Sequence, residues 1–393
     1  MPFLSLNYLR LFALLAVLSL CASPAISMPS NKGDKDDDKD NKDRKNNKGV
    51  IRVKHRESIQ AAIDRAKPYT RIEVEGHHQE QVVITKDGIS LIGKGAKLSP
   101  PQTIGKNNYC YGLVKDNTLT NVSAGICIHG RNIKLASAYD PFALHWKVES
   151  VGDPVKDVSV SGFEVSDFDG ENIAVYGGKN TKVFRNRLRG GKRYGFLTVG
   201  SKGTEASHNV ISGSGPATLL EGPIAMCMDD LSSAVFSSNT LSDYFIGLCT
   251  ETKEGINRQN TIHDCCIGNI IDPNVVGAKS LDNDISKWNT ACNVNSSAGI
   301  SLLGAKKALV KGNKISIGID PPTLGAGLFL GLEDLFQAVN EGNTITNNKF
   351  GQNPVDIFDD SKGKNYIFDN KCDVPIRAPN VSAPEYCQPR GRY

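Results

Sequence analysis

Three acidic residues occupy the same position in three successive short apolar segments of the chain. The segments AMCMD, GLCTE and GNIID end in Asp229, Glu251 and Asp272. The equivalent positions before and after them are Val199 and Leu303, so the acidic residues are confined to three neighbouring repeats. If the segments pair as adjacent strands, their carboxyl groups stack about 4.8 Å apart. We call Asp229, Glu251 and Asp272 the acidic column and predict that its members are catalytic.

Stacked carboxylates repel one another, and three arrangements relieve the repulsion. In the first, the column and Asp230 bind a cation such as Ca²⁺, which prefers oxygen ligands. In the second, one carboxyl group stays protonated and acts as a general acid. In the third, the side chains are simply solvated. Next-but-one repeats place carboxyl groups about 9.6 Å apart, close to the roughly 6.5–9.5 Å of an inverting glycosidase.

Basic side chains near the acidic column are candidates for binding an anionic sugar polymer. β-Elimination on a uronate requires a cation that stabilises the enolate, a base for the C5 proton and an acid for the leaving oxygen. A solvated strand face explains Arg187 and Arg189 equally well, and His208 also fits a turn. The predicted substrate-binding residues are Arg187, Arg189, Arg193, Lys202, His208 and Lys253.

Cysteines are numerous enough to predict disulfides in an oxidising compartment. The candidate pairs are Cys110 with Cys127, Cys372 with Cys387, and Cys292 with either Cys265 or Cys266. Cys227 and Cys249 share one position in adjacent repeats, so they form either a disulfide or two thiols. The odd number beyond the N-terminal segment leaves one thiol over, and no spacing typical of a metal site is present.

The N-terminal segment has the features of a secretory signal. Residues 1–25 combine Arg10, an apolar run and small residues, and residues 26–49 are a charged linker with too few apolar side chains to fold. Residues 50–393 are then one domain of a secreted, extracellular protein. The net charge of +4 tolerates an anionic polymer. We expect a polysaccharide partner, no nucleic acid, no membrane and a monomer, with sequons at Asn121, Asn295 and Asn380 available for glycans.

A repeat of about 21 to 30 residues determines the expected architecture. In seven units an Asn is followed two residues later by Leu or Ile, and Asn370 continues the Asn series. The three short strands of a unit match one coil of a parallel β-helix. The Asn residues are expected to stack into hydrogen-bonded ladders, and the aliphatic residues to form the core. The series is Asn186, Asn209, Asn239, Asn260, Asn283, Asn313, Asn343 and Asn370.

The start of the domain predicts a cap on the open end of the solenoid. Residues 57–66 have apolar residues at helical spacing, and short strands follow in residues 71–75, 81–84 and 89–92. A helix there covers the apolar interior and the backbone edge of the first coil. The predicted fold class is therefore all-β, a right-handed parallel β-helix with an N-terminal helical cap.

The stretch SIQAAIDRAKPYTRIEVEGHHQEQVVITKDGISLIGKGAKL resembles the cap and first coil of the pectin lyase-like superfamily of right-handed parallel β-helices. The resemblance implies the fold over about residues 50–375 and leaves the activity open, because that fold carries lyases, hydrolases, epimerases and adhesins. The chain has Asp229-Asp230 but lacks the Gly-His-Gly and Arg-Ile-Lys motifs of polygalacturonases. Asp140-Pro141 with His145 is similar to the Asp-Pro-His motif of uronan epimerases, and a turn explains it equally well.

These observations favour a secreted carbohydrate-active protein, and among activities a polysaccharide lyase acting on a uronate-containing polymer. Two alternatives stay open. One is a non-catalytic β-helix that binds cell walls or serves as a virulence-type surface protein. The other is an inverting glycoside hydrolase.

Overall fold

The computed structural model describes most of the predicted solenoid. The described residues are 49–105, 108–139, 145–215, 222–229, 231–292, 297–318, 325–331, 333–373 and 387–389. The predicted signal peptide, almost all of the linker, Asp230, Asn295 and Asn380 lie outside these residues. No described helix is long and apolar enough to cross a bilayer.

Strands dominate the described residues, which also contain two short helices. The first strands are β1 (Val50–Val53), β2 (Arg71–Val74), β3 (His77–Gln79), β4 (Val82–Ile84), β5 (Ser90–Ser99), β6 (Ile126–His129), β7 (Arg131–Leu135), β8 (Val148–Asp153), β9 (Val155–Lys156), β10 (Ser159–Ser166), β11 (Glu171–Tyr176), β12 (Gly178–Lys179), β13 (Lys182–Phe184), β14 (Arg187–Arg189), β15 (Tyr194–Val199), β16 (Lys202–Ser207), β17 (Val210–Ser212) and β18 (Ile224–Asp229). The next are β19 (Ser233–Ser237), β20 (Thr240–Ser242), β21 (Ile246–Glu251), β22 (Ile256–Arg258), β23 (Thr261–Cys265), β24 (Ile267–Ile271), β25 (Lys279–Leu281), β26 (Asp284–Trp288), β27 (Ala298–Leu302), β28 (Leu309–Lys311), β29 (Lys314–Ser316), β30 (Ala326–Leu330), β31 (Thr344–Thr346), β32 (Lys349–Phe350), β33 (Val355–Asp359), β34 (Tyr366–Phe368), β35 (Asn370–Cys372) and β36 (Cys387–Pro389). The helices are α1 (Ile59–Arg65) and α2 (Glu333–Phe336).

The strands form a parallel β solenoid, which confirms the predicted all-β, parallel architecture. The first strand of each coil joins a ten-stranded parallel sheet, from β4 and β6 through β15, β18 and β21 to β33. The second and third strands of each coil join a 24-stranded sheet in which each pairs with its counterpart on the next coil, for example β14 with β17 and β17 with β20. Only the hairpin β7/β8 is antiparallel among the named strands.

Helix α1 forms where the apolar spacing predicts it. The Ser58 hydroxyl accepts a hydrogen bond from the Ala61 N–H and caps the first turn. Ile59 and Ile63 are buried in the core beside the first strands, whereas the intervening side chain of Gln60 hydrogen-bonds β4. Its role as a cap stays a prediction.

The interior of the solenoid is a column of aliphatic side chains, one per coil. Leu188, Ile211, Leu241, Ile262, Ile285 and Ile315 occupy the same register position on successive coils and are buried. Burial of each such side chain contributes about 1.5–3 kcal/mol to folding. The prediction that these residues form the core is confirmed.

The asparagine ladder is present, with one correction. Each ladder Asn donates from its backbone N–H and its amide to the Oδ1 of the next Asn, as Asn209 does to Asn239 at 3.0 Å. Asn313 donates in this way to Asn348, not to the predicted Asn343, which belongs to a second column and bonds Asn365. The prediction failed because Phe350, not Leu or Ile, follows Asn348 in the core position.

Four disulfides connect the described cysteines. They are Cys110–Cys127, Cys227–Cys249, Cys266–Cys292 and Cys372–Cys387. Three of them agree with the predicted pairs, and the structure selects Cys266 over Cys265 as the partner of Cys292. For Cys227 and Cys249, where a disulfide and two thiols were both open, the structure has the disulfide. Cys265 is the free thiol and is buried, where burial raises its pKa to about 12.

Candidate functional site

The strand register brings the acidic column together as the sequence predicts. Asp229 pairs directly with Glu251, and Val199 precedes Asp229 on the coil before. Thr250 pairs with Ile271, so Asp272 follows Glu251 on the next coil. The three carboxyl groups therefore stand at one edge of the ten-stranded sheet, at the ends of β18, β21 and β24.

The column faces outward from the solenoid. Met226 and Met228 belong to the interior core, whereas Cys227 and Cys249 belong to a second apolar cluster on the outer face of the same sheet. Because side chains alternate along a strand, Asp229 shares the outer face with Cys227. The Cys227–Cys249 disulfide joins the two coils that carry Asp229 and Glu251, which holds these carboxyl groups in place.

A segment outside the repeats covers this outer face. We call residues 108–124 and 145–153 the covering segment. Its Val114 and Val148 are buried against outward-facing side chains such as Tyr176 and Val199. Strand β8 ends this segment, and Gly200 allows its close approach, since a Cβ there would lie 2.9 Å from Val148.

The covering segment contributes a lysine that bridges two members of the acidic column. The Lys147 ammonium lies 2.9 and 2.8 Å from the two carboxylate oxygens of Asp229 and 2.6 Å from Oε2 of Glu251. The Asp229 side chain is fully buried, whereas those of Glu251 and Lys147 are 12% and 25% exposed. A ligand arriving from solvent therefore meets Lys147 and Glu251 first.

A buried histidine completes the cluster. Nε2 of His145 forms a short contact with Oδ2 of Asp229, and Nδ1 lies 2.9 Å from the carbonyl oxygen of Trp146. Both ring nitrogens of His145 therefore face hydrogen-bond acceptors. Both side chains are fully buried, so the pair lies beneath the accessible part of the site.

The cluster separates the pKa values of its two central carboxyl groups. Burial opposes ionisation of Asp229, but the charges of His145 and Lys147 outweigh it and hold the pKa of Asp229 well below its ordinary value. Burial, reinforced by repulsion from Asp229 and Asp272, raises the pKa of Glu251 well above its ordinary value despite Lys147. Groups with pKa values driven apart in this way can divide acid and base roles between them.

The geometry limits which reactions the adjacent pair can carry out. The ligand atoms of His145, Asp229 and Glu251 all lie within 4.8 Å of one another. Inverting glycosidases hold their two carboxyl groups roughly 6.5–9.5 Å apart to admit a water molecule. Asp229 and Glu251 are too close for that arrangement, so an inverting reaction would need Asp272 as one member of its pair.

The ammonium group of Lys147 occupies the position between Asp229 and Glu251 where Ca²⁺ binding is predicted. The Lys147 ammonium already bonds to Asp229 and Glu251, and a Ca²⁺ ion between these two side chains would have to displace it. The Cys227 and Cys249 sulfurs are held in a disulfide, which removes them as ligands. Calcium binding by Asp229, Asp230, Glu251 and Asp272 therefore stays a prediction, and the mechanism below does not use it.

The structure does not bring the predicted substrate-binding residues to one place. Strands β14, β16 and β17 with the turns before them belong to the 24-stranded sheet and carry Arg187, Arg189, Lys202 and His208. Arg193 precedes β15, is 2% exposed and donates to Oδ1 of Asn117 at 2.7 Å. Lys253 is exposed, two residues beyond Glu251. Substrate binding by these residues stays a prediction.

Sequence reasoning missed the two basic residues that contact the column. Lys147 lies 104 residues before Glu251, and His145 lies 84 residues before Asp229, in a segment without repeats. Periodicity therefore carries no signal for either. The one available clue was the loose Asp-Pro motif upstream of His145, whose Asp140 and Pro141 lie outside the described residues.

Comparisons with known proteins agree on the fold. No family model matches the chain, and no curated protein matches it. Among solved structures, the chain is similar to the A-module of the Azotobacter vinelandii mannuronan C-5 epimerase AlgE6, with a TM-score of 0.52 and 14% identity over 85% of this chain and 95% of that one. It is similar to the Dettilon tailspike protein, with a TM-score of 0.50 and 14% identity over 82% of this chain.

A third similar structure is the lidless DFA-IIIase from Arthrobacter chlorophenolicus A6 in complex with GF2. The TM-score is 0.50 and the identity 11%, over 80% of this chain and 89% of that one. The chain spans only 64% of the tailspike. At these identities the similarity establishes the fold alone, and the fold is the parallel β-helix.

Proposed function

We propose that this protein is a secreted enzyme that cleaves a uronate-containing polysaccharide by β-elimination at the acidic column. The observation that carries the proposal is the Lys147 ammonium, which lies between Asp229 and Glu251 at the exposed end of a buried acid–base cluster. A mannuronan epimerase and a tailspike share this fold, which supports a carbohydrate substrate by analogy. Four disulfides fit secretion into an oxidising compartment.

The proposed mechanism assigns one role to each accessible group. Lys147 pairs with the carboxylate of the uronate and stabilises the enolate that forms when C5 loses its proton. Asp272 accepts that proton, and its side chain is partly exposed on the coil next to Glu251. The electrons of the C5–H bond form the C4=C5 double bond as the C4–O4 bond breaks. Glu251 donates its proton to the leaving O4.

The buried pair holds this arrangement in place. Asp229 is ionised and anchors Lys147, so the ammonium group stays at the entrance of the site. His145 compensates the charge of Asp229 below the surface. Because Asp229 and Asp272 flank Glu251, their repulsion favours the protonated form that a general acid requires.

A non-catalytic role is the second candidate, and one observation favours it. The contacts from His145 and Lys147 to Asp229 fasten the covering segment to the ten-stranded sheet. A β-helix that only binds carbohydrate would need the same contacts for stability. In that case the cluster is structural, and its amide variants change stability without affecting any turnover.

The test is turnover on a panel of polymers with matched variants. Polygalacturonate, alginate, glucuronan and a neutral glycan are incubated with the purified protein, with Ca²⁺ or with chelator. A lyase produces unsaturated uronate ends, so ultraviolet absorbance rises together with new reducing ends. Glu251→Gln preserves size and neutral hydrogen bonding and should reduce the rate by about 10²–10⁴. Glu254→Gln, an exposed glutamate on the same turn, is the control and should leave the rate unchanged.

Each outcome assigns the protein to one class. Reducing ends without absorbance would identify a hydrolase and overturn the elimination. No cleavage of any polymer would favour the binding protein. Equal rates for the parent and Glu251→Gln would remove Glu251 from the mechanism.

A further inference from the structure

A second concave site lies on the other side of the coil, where the second and third strands meet. Its volume is about 430 Å³, within the range of roughly 300–1,000 Å³ for small-molecule sites. Strands β5, β10, β14 and β17 and the turns before them provide its walls. We call it the basic groove. Its polar lining comprises Lys97, Glu164, Arg185, Asn186, Arg187 and His208.

Strand register arranges the charged side chains of the basic groove in one row. Lys97 pairs with Glu164, Glu164 with Arg187, and Arg187 with Val210. These positions are about 4.8 Å apart from coil to coil. Arg185 lies on the turn before Arg187, and both residues line the groove.

Two irregularities in the backbone open the groove. The register of β5 against β10 shifts between Ser161 and Phe163, so the regular strand pairing is interrupted beside Gly162. Gly95 and Gly162 have φ of +71° and +75°, where glycine is favoured. Within the described part of the chain, no heavy atom lies within 4 Å of the position that a Cβ on Gly95 would occupy. Gly95 and Gly162, on the coils of β5 and β10, therefore leave a notch in the groove lining, which also includes Arg185.

The guanidinium groups of the groove are not used by the fold. The acidic residue of the groove lining, Glu164, pairs with Lys97 at 3.9 Å and with Arg189 at 4.0 Å. Among the described residues, neither Arg185 nor Arg187 has a carboxylate within 4.0 Å. Two exposed arginines on one edge are suited to bidentate bonds with a carboxylate or a sulfate.

One side of the groove is apolar. Val210 lines that side and is 40% exposed, whereas Ala96 and Phe163 are buried in the core beneath the groove. A sugar ring presents an apolar face and polar edges, so Val210 and the arginines match its two kinds of surface. A phosphate ion would leave Val210 without a partner.

We propose that the basic groove is a carbohydrate-binding site that binds an anionic sugar of a polysaccharide, carboxylated or sulfated, without acting on it. It lies in the 24-stranded sheet, whereas the acidic column lies in the ten-stranded sheet. The proposal does not depend on the chemistry at the acidic column. Such a site keeps the protein on an acidic polymer by adding a second attachment point to each chain.

Calorimetric titration of the whole mature protein tests the proposal. The probes are oligogalacturonate, sulfated dextran oligosaccharide and a neutral cello-oligosaccharide, at one fixed ionic strength. Glu251→Gln serves as the background in every arm so that no probe is consumed. Arg187→Gln should weaken binding of the anionic probe by about tenfold, as expected for a lost charge-assisted bond, and Arg185→Gln by a similar factor.

Two matched variants separate a built site from general charge attraction. Lys349 occupies the same row of the sheet several coils away and is exposed, so Lys349→Gln removes one charge outside the groove. The affinity of Lys349→Gln for the anionic probe should differ from that of the background protein by less than twofold. Gly95→Asn fills the notch with a residue that tolerates positive φ and should weaken binding without any change of charge.

The outcomes decide the proposal in each case. The proposal is supported if the galacturonate or the sulfated probe binds tightly, if Arg187→Gln loses this binding and if Lys349→Gln retains it. The probe that binds then identifies the anion. Hydrogen exchange should then slow at residues 95–97, 162–164 and 185–187. Equal losses for Lys349→Gln and Arg187→Gln, or no binding of either anionic probe, would overturn it. The proposed lyase would survive that result, because its rate is measured separately.

Discussion

The acidic column and the basic groove use the same repeat in opposite ways. At the column, charged groups are buried beneath a segment outside the repeats, and they satisfy one another. At the groove, charged groups stand on the exposed corner of the coils, and the two arginines have no acidic partner among the described residues. A buried cluster is sensitive to the loss of any member, whereas an exposed row is not. The two sites should therefore respond differently to the same kind of substitution.

The largest expected effect follows removal of Asp229. Asp229→Ala leaves His145 and part of Lys147 buried without their counter-ion, and loss of one partner of a buried pair costs about 3–5 kcal/mol. Urea unfolding should show the midpoint lowered with an unchanged slope. The control is Asp284→Ala, which breaks an exposed pair with Lys314 and should cost at most about 1 kcal/mol. Similar losses for both variants would contradict the contrast between the buried and the exposed site.

The pH dependence of stability provides the next test of the covered face. Glu171, the first residue of β11, is fully buried, and neither carboxyl oxygen has a hydrogen-bond partner within the described part of the chain. Burial, reinforced by Asp169, raises its pKa from 4.5 to about 8. Between these values the folded chain keeps a proton that the unfolded chain has lost, so stability falls as pH rises from about 4.5 to about 8.

Glu171→Gln should remove this loss, which is on the order of 4 kcal/mol at pH 8 for a shift of that size. The measurement is the free energy of unfolding of the parent and variant at pH 5, 6.5 and 8. The two should differ little at pH 5, and the variant should be the more stable at pH 8. Parallel pH profiles for the two proteins would show that Glu171 does not titrate in this interval.

The two sites also differ in how far the sequence predicted them. The acidic column was predictable because its members share one position in a repeat, and a repeat determines the register. Arg187 and His208 are predicted beside the column, but they lie on the side of the 24-stranded sheet. A turn separates the third strand of one coil from the first strand of the next. Linear distance in a repeat of about 23 residues does not reveal which side of the coil a residue occupies.

The unpredicted part of the column comes from outside the repeats. Lys147 and His145 reach Asp229 across 82 and 84 residues, and only the packing of the covering segment brings them there. The correction in the ladder has a similar cause. The repeat pattern has an aliphatic residue two positions after the Asn, whereas Phe350 after Asn348 fills the same core position with a different shape.

The ladder beneath the basic groove should have an intermediate effect. Asn209→Ala removes the acceptor for the backbone N–H and the amide of Asn186, both of which are buried. A buried donor left without its acceptor costs about 1–3 kcal/mol. Thermal or urea unfolding measures the loss, and Thr261→Ala, on an exposed strand face beside the ladder, should change stability by less than about 0.5 kcal/mol. Equal values for the two variants would show that the ladder adds nothing to stability.

The smallest expected effect is at the basic groove itself. Arg185→Gln and Arg187→Gln remove exposed charges without acidic partners, so each should change the free energy of unfolding by less than about 0.5 kcal/mol. The same variants should elute from an anionic polysaccharide column at lower salt than Lys349→Gln, because they lose specific as well as general attraction. A loss of more than about 1 kcal/mol in Arg187→Gln would mean that the fold uses the guanidinium. Weaker binding would then follow from an altered groove. The contrast between the buried acidic column and the exposed basic groove would fail at Arg187.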